Sequence, residues 1–237
     1  MIYHSGIFYP SDKEELEKLA TQTEKRDRAK AFILPHMDLR RCADLYRAVF
    51  SSIPDGTRVV AVLPLHRPPL LSDKDAFLFS SRARTEHFIT GDVRIGHIEL
   101  PYADAYEKEE YSLELLYPFM TSFCPSSELI PVFSYAQSGK DVRKLMEVIE
   151  SLDEENTIFI VSSNMTDKRP DPVPERDRMI EILLSGESIL DEYRKGHITA
   201  CAAPVIEAVS RVIPGKWELV GTVGDDKAAG HAALLRR

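Results

Sequence analysis

Several features are scarce or missing in this sequence, and each absence excludes a class of protein. Only three of its 237 residues are cysteines, Cys42, Cys124 and Cys201, and no Cys-x-x-Cys pair occurs. This sparse set excludes a disulfide framework and is typical of a reducing compartment. No apolar run approaches the ~20 residues that cross a bilayer, and the first residues lack the pattern of a signal peptide. We therefore expect a cytoplasmic protein that has no membrane partner.

Basic clusters and several well-known catalytic motifs are also missing. The formal net charge is −8 and the pI is about 5.4, so a nucleic-acid partner is not expected. The sequence has no Gly-x-Ser-x-Gly elbow and no Gly-x-Gly-x-x-Gly after a strand. Ser138-Gly139-Lys140 lacks the upstream glycine of a phosphate-binding Walker loop. These absences argue against serine hydrolases of the elbow type and against the usual nucleotide-binding folds.

What is present is a set of short apolar runs with the length and composition of buried strands. Residues 31–34 and 59–63 are continuous apolar runs without polar alternation, which is typical of strands covered on both faces of a sheet. A segment with helical periodicity, residues 39–53, lies between them. Strand, helix and strand predict a βαβ unit. We expect one α/β domain over residues 1–237, with helices on both sides of a central, mostly parallel (mixed) sheet.

Residues of the types that commonly bind metals in proteins follow the ends of these runs. His36 and His66 each come shortly after a proline that ends a strand. A third run, residues 157–161, leads into Ser162 to Asp167, which is either part of a site or a simple polar turn. Because parallel strands end at the same sheet edge, these loops should converge, together with Cys201. Two imidazoles, a carboxylate and a thiolate predict a site for Fe²⁺, Zn²⁺ or copper formed by His36, His66, Asp167 and Cys201.

Two further segments bear on this site. Glu114 stands among apolar residues, so it should face inward and need a partner. The acidic run at 107–110 indicates instead the solvated start of a helix. Residues 168–177 are rich in proline and aspartate and predict a loop. The part of this loop from Arg169 to Glu175 is a candidate lid.

A resemblance to the Memo family, which includes the B component of the AmmeMemoRadiSam system, extends over nearly the whole chain. No single motif is specific, but their order is hard to obtain by chance. The segments and the family patterns they resemble are Ser5-Gly6-Ile7-Phe8-Tyr9-Pro10 (Ala-Gly-x-Phe-Tyr-Pro), Leu34-Pro35-His36 (Pro-His-Ala-Gly), Leu63-Pro64-Leu65-His66 (Gly-Pro-x-His), Tyr111-Ser112-Leu113-Glu114 (His-Ser-x-Glu), Ser162-Ser163-Asn164-Met165-Thr166-Asp167 (Ser-Ser-Asp-Phe-x-His) and Thr199-Ala200-Cys201-Ala202 (Thr-x-Cys-Gly).

The resemblance implies a three-layer α/β/α fold like that of the class III extradiol dioxygenases. It places the family's metal-site residues on His36, His66, Asp167 and Cys201, with Asp167 in place of a third histidine. Tyr111 replaces another histidine of the family's site. The resemblance also implies a functional partnership with a radical-SAM protein.

Two functions remain open from the sequence. The first is a divergent Memo-like protein with a metal or small-molecule pocket, whose enzyme version would have a metal-dependent, dioxygenase-like redox activity on an unknown substrate. In that enzyme Tyr111 or Glu114 would orient the substrate or a bound water. The second is a non-catalytic module that retains the fold and binds a peptide or small molecule at a degenerate site.

Overall fold

The structure is a computed structural model that describes residues 3–66, 77–136, 139–167, 170–223 and 230–237. Its strands are β1 (Ala31–Leu34), β2 (Arg58–Pro64), β3 (Leu78–Ser80), β4 (Arg84–Phe88), β5 (Gly91–Ile95), β6 (Glu128–Ser134), β7 (Thr157–Ser162), β8 (Trp217–Thr222) and β9 (Ala232–Arg236). Its α-helices are α1 (Lys13–Leu19), α2 (Leu39–Phe50), α3 (Asp104–Glu107), α4 (Tyr117–Phe123), α5 (Gly139–Leu152), α6 (Val173–Ser185), α7 (Leu190–Arg194) and α8 (Ala203–Val212). A 3₁₀ turn, Glu114–Leu116, precedes α4.

The strands of the described residues form one mixed sheet. Their order is β4-β5-β6-β2-β7-β1-β9-β8, and β3 pairs with β6 outside this path. The central strands β6, β2, β7 and β1 run parallel, whereas the pairs β4–β5, β3–β6, β1–β9 and β8–β9 are antiparallel. The predicted α/β fold with a mostly parallel sheet is therefore confirmed. Strand β7 lies between β1 and β2 and is parallel to both, so all three end at the same edge.

Each face of this sheet carries its own apolar core. Alternate residues of a strand point to opposite faces, so Phe32 packs into one core and Ile33 into the other. The first core includes apolar residues of α1, α2 and α4, and the second includes residues of α5, α6 and α8. Because each fully buried large side chain contributes about 1.5–3 kcal/mol, covering both faces stabilises the layered arrangement that the apolar runs predict.

Two helix boundaries follow from local chemistry. Asp38 caps α2, and its side chain accepts a hydrogen bond from the N–H of Arg40. The predicted loop at 168–177 is shorter than expected, because α6 begins at Val173 and includes Glu175. Residues 168 and 169 of the predicted loop lie outside the described residues, and the second of them belongs to the candidate lid. Pro172 and Pro174 suit this helix start, since the first turn of a helix needs no backbone donor there.

The last two strands form a terminal antiparallel pair, with Trp217 opposite Arg236 and Thr222 opposite Ala232. Residues 224–229, between these strands, lie outside the described residues. No helix in the described part of the chain combines the length and the apolar character that a bilayer-spanning segment requires.

Candidate metal centre

His36 is fixed at the end of β1 by contacts on both its backbone and its ring. Its N–H donates to Asn164 Oδ1 at 3.1 Å, and the preceding carbonyl of Pro35 accepts from the Tyr46 hydroxyl at 2.8 Å. Ring atom Nδ1 lies 2.9 Å from Ser162 Oγ at the end of β7. The side chain is buried, so these bonds leave its Nε2 as the atom that faces the other site residues.

His66 lies beyond β2 and is held by a buried acid. The N–H of Leu65 donates to the carbonyl of Ser134, which continues the pairing of β2 with β6. His66 Nδ1 lies 2.9 Å from Glu110 Oε2, and the other carboxylate oxygen of Glu110 accepts from the N–H of Ser112 at 3.2 Å. Glu110 is only 3% exposed, in contrast to the solvated acidic run expected from the sequence.

Cys201 comes from the loop before α8 and is the third member of the group. Its Sγ lies 3.4 Å from His36 Nε2. The N–H of Asn164 donates to the same sulfur at 3.2 Å, and Ser163 Oγ lies 3.6 Å away. Asn164 and Ser163 of the polar run that follows β7 therefore contact His36 and Cys201.

These three residues form the one cluster of at least three potential metal ligands found among the described residues. One ligand atom from each of His36, His66 and Cys201 lies within 4.8 Å of the others. The two imidazole rings are 5.0 Å apart between centroids and nearly perpendicular. We call His36, His66 and Cys201 the His-His-Cys group.

The donor set of this group fits a transition-metal ion. With bond lengths of about 2.0 Å to nitrogen and 2.3 Å to sulfur, a tetrahedral ion holds these two ligands about 3.5 Å apart. The 3.4 Å between His36 Nε2 and Cys201 Sγ is close to that spacing. Both Nδ1 atoms already have oxygen partners, which is the usual arrangement around a metal-binding histidine.

The charges within the group are coupled. Burial by itself would raise the pKa of Cys201, but the imidazoles of His36 and His66 outweigh it and lower this pKa to about 5. Burial would lower the pKa of His66, but its hydrogen bonds to Cys201 and Glu110 raise it to about 10. The Cys201 thiolate is the form that binds metals. A metal ion would replace the proton that His66 otherwise carries.

The His-His-Cys group forms part of the wall of a cavity of about 910 Å³, near the upper end of the volumes typical for small-molecule sites. Four aromatic side chains, Phe8, Tyr111, Tyr135 and Tyr193, also line it. Its remaining lining residues are Met37, Asp38, Arg41, Pro64, Leu65, Asn164, Thr166, Asp167, Gly196, Ile198, Thr199, Ala200 and His231. The cavity could therefore hold an organic molecule beside the group.

Tyr111 lies in this cavity, as its predicted role requires. Its ring stacks on Phe8 with a centroid distance of 3.8 Å and lies nearly parallel to the His66 ring at 6.0 Å. The Tyr111 hydroxyl donates to the carbonyl of His36 at 3.4 Å. Burial raises the pKa of Tyr111, so the phenol stays protonated near neutral pH.

The other two predicted site residues lie differently. Asp167 is exposed on the cavity wall, its N–H donates to Thr199 Oγ1, and it is outside the His-His-Cys group. Glu114 is buried, as expected, but its carboxylate accepts hydrogen bonds from Tyr3, His4 and Tyr9 of the N-terminal segment. The structure therefore brings together three of the four predicted ligands and places Glu114 outside the cavity lining.

Comparison with known proteins agrees with this architecture. A family model described as "Memo-like protein" matches residues 2–188, which include His36 and His66 but end before Cys201. A MEMO1 family protein of Aquifex aeolicus (strain VF5) is 27% identical over 197 residues, covering 76% of this chain and 71% of the relative. A second match to a MEMO1 family protein of that organism is 28% identical over 182 residues, covering 67% of this chain and 46% of the relative.

A solved structure extends the comparison to the fold. The crystal structure of uncharacterized protein JW3007 from Escherichia coli K12 matches with a TM-score of 0.51, covering 89% of this chain and all of the other. At 10% sequence identity this likeness concerns the fold alone. The family match covers well over half of the chain and includes two of the three residues of the His-His-Cys group. The chain therefore belongs to the Memo-like protein family.

Proposed function

We propose that this protein binds one transition-metal ion between His36, His66 and Cys201, and that the ion supports chemistry on a small organic molecule in the adjacent cavity, which is redox chemistry if the ion is copper or iron. The observation that carries the proposal is the convergence of three ligand atoms from three separate loops within 4.8 Å. Two imidazoles and a thiolate suit zinc, copper or iron, and the thiolate favours the first two. A bound copper or iron ion would supply electron transfer, and zinc would act as a Lewis acid.

The protein's own residues would position the ion and the substrate. Three protein ligands leave a tetrahedral ion one position for a ligand from the cavity. The stacked rings of Phe8 and Tyr111 offer an apolar surface for an organic ligand. The Tyr111 hydroxyl gives its one proton to the His36 carbonyl, and its oxygen can accept a hydrogen bond from that ligand.

Loss of one ligand should abolish metal binding at low metal concentration. Binding free energies of about 10–16 kcal/mol spread over four ligands give roughly 3 kcal/mol for each, or roughly a 100-fold change in affinity. We expect purified wild-type protein to hold near-stoichiometric zinc, copper or iron by elemental analysis, and His36→Ala to lose it. His87→Ala is the matched control, because His87 is exposed and pairs with Asp92 on β5. A metal-free wild type would contradict the proposal.

Asp167 provides a second, smaller test. Because its carboxylate is outside the His-His-Cys group, we expect Asp167→Asn to retain metal affinity within a factor of about two, a change below 0.5 kcal/mol. Competition with a chromophoric chelator measures this affinity. A loss as large as that of His36→Ala would restore Asp167 as the fourth ligand.

The aromatic lining of the cavity favours a second candidate function, a non-catalytic module that binds a peptide or small molecule. That function needs the cavity but not the ion. A metal-free protein that still binds its partner after His36→Ala would support it. The partnership with a radical-SAM protein stays a prediction from the family resemblance.

A further inference from the structure

Glu110 is a buried acid whose two oxygens are both used. One oxygen accepts from His66 Nδ1 at 2.9 Å and the other from the N–H of Ser112 at 3.2 Å. The neighbouring Glu109 is exposed, whereas Glu110 is 3% exposed. Burial of a carboxylate costs free energy unless the group is paired and hydrogen-bonded. The contacts with His66 and Ser112 therefore offset the free energy that burial of the Glu110 carboxylate costs.

The two histidines of the site are supported unequally. The His36 side chain is buried, and both its N–H and the carbonyl before it are hydrogen-bonded. The His66 side chain is 41% exposed, so packing fixes it less firmly. Its ring has the Glu110 carboxylate on Nδ1 and the Tyr111 ring lying nearly parallel to it at 6.0 Å. Glu110 and Tyr111, adjacent in the chain, thus hold His66 from two directions.

We propose that Glu110 is a positioning residue of the metal centre, which orients His66 so that Nε2 faces the ion and strengthens this nitrogen as a donor. The inference rests on the proposed metal site. A carboxylate that accepts the Nδ1 proton fixes one tautomer, with the lone pair on Nε2, and raises the basicity of the ring. Ser162, whose hydroxyl is the partner of His36, bears no charge and therefore cannot raise the basicity of the His36 ring in this way.

Glu110 also completes the charge balance of the centre. A divalent ion bound to one thiolate and two neutral imidazoles keeps a net charge of +1. The Glu110 carboxylate lies one imidazole away from the ion and offsets that charge in a site where burial makes charge costly. Removal of Glu110 should therefore weaken metal binding even though the acid is not itself a ligand.

The test is zinc and cobalt binding by wild type, Glu110→Gln and Glu110→Ala. Loss of such a partner costs about 10–100-fold in metal affinity. We expect Glu110→Ala to fall in that range and Glu110→Gln to lie between it and wild type, since the amide retains a hydrogen bond but no charge. Glu109→Gln, one residue away and exposed, is the control that should match wild type. Circular dichroism shows whether each variant is folded, and Glu110→Gln serves if Glu110→Ala is not.

Nitrogen NMR of labelled histidines separates positioning from mere stability. In the zinc-bound wild type, His66 should show a protonated Nδ1 and a metal-bound Nε2, and this signature should be lost or mixed in Glu110→Ala. Unchanged affinity and an unchanged His66 signature in both variants would overturn the inference while the metal site stood. A wild type that binds neither zinc nor cobalt would overturn both together.

Discussion

Replacing Glu114 with alanine is expected to destabilise the fold by about 3 kcal/mol, because it removes the acceptor of three hydrogen bonds. The carboxylate accepts from the N–H groups of Tyr3 and His4 and from the hydroxyl of Tyr9 at 2.5 Å. Tyr9 is fully buried, so its hydroxyl would lose its partner without gaining water. For a chain of this length, such a loss lowers the melting temperature by roughly 6–12 °C.

Urea unfolding followed by circular dichroism measures this change. Glu147→Ala is the matched control, since Glu147 is exposed on α5 and its replacement should stay within about 0.5 kcal/mol. Tyr9→Phe removes the buried hydroxyl alone. In the double variant the two losses should be less than additive, because both variants break the same bond.

The same variant decides what Glu114 does. If it anchors the N-terminal segment, folded Glu114→Ala should bind zinc with nearly wild-type affinity at a temperature well below its melting point. Phe8, which stacks on Tyr111 in the cavity, belongs to the anchored segment, so a modest effect on ligand binding in the cavity is expected. Wild-type stability together with lost ligand binding in the cavity would instead support the substrate-orienting role that the sequence predicts for Glu114.

The sequence predicts the site best where local pattern and sheet geometry act together. Residues 31–34 and 59–63 are apolar without interruption, and such runs form parallel strands buried on both faces. Parallel strands then carry His36 and His66 to one edge with no further information. The order of the strands could not be derived this way. That β7 lies between β1 and β2 depends on long-range packing, which periodicity along the chain does not encode.

Glu110 shows what sequence pattern misses. Within an acidic run, Glu109 and Glu110 are alike in sequence, yet one is exposed and the other buried. The difference arises because α3 ends at Glu107 and the following turn directs Glu110 towards His66. Its place directly before the Tyr111-Ser112 motif is the one sequence signal that could have drawn attention to it.

Asp167 shows what residue type alone leaves open. A carboxylate at the position of the family's third histidine fits the chemistry of a metal ligand. The geometry differs because the backbone of Asp167 is tied to Thr199 and its side chain is exposed on the cavity wall. Residue type alone therefore could not decide how many ligands the centre has.

In metal-free protein at pH 7, Cys201 should react with iodoacetamide at least about 1,000-fold faster than Cys42 or Cys124, because buried thiols react only when the fold opens. Cys42 and Cys124 are at most 1% exposed, and burial raises the pKa of both, that of Cys124 to about 12. Cys201 lines the cavity, and its neighbouring imidazoles favour the reactive thiolate. Peptide mapping by mass spectrometry over a time course measures the three rates.

The same labelling experiment, repeated in the presence of zinc, tests the proposed metal centre. A thiolate bound to zinc is a weaker nucleophile and is covered by the ion, so stoichiometric zinc should slow the alkylation of Cys201 by at least about 10-fold. In His36→Ala, which lacks one ligand, the same zinc concentration should give little protection. Cys201→Ser should leave no rapidly labelled thiol, which checks the assignment of the fast site. Labelling of Cys201 at one rate with and without zinc would mean that its sulfur is reachable but not coordinated, and the metal centre would then have to be formed by the histidines without it.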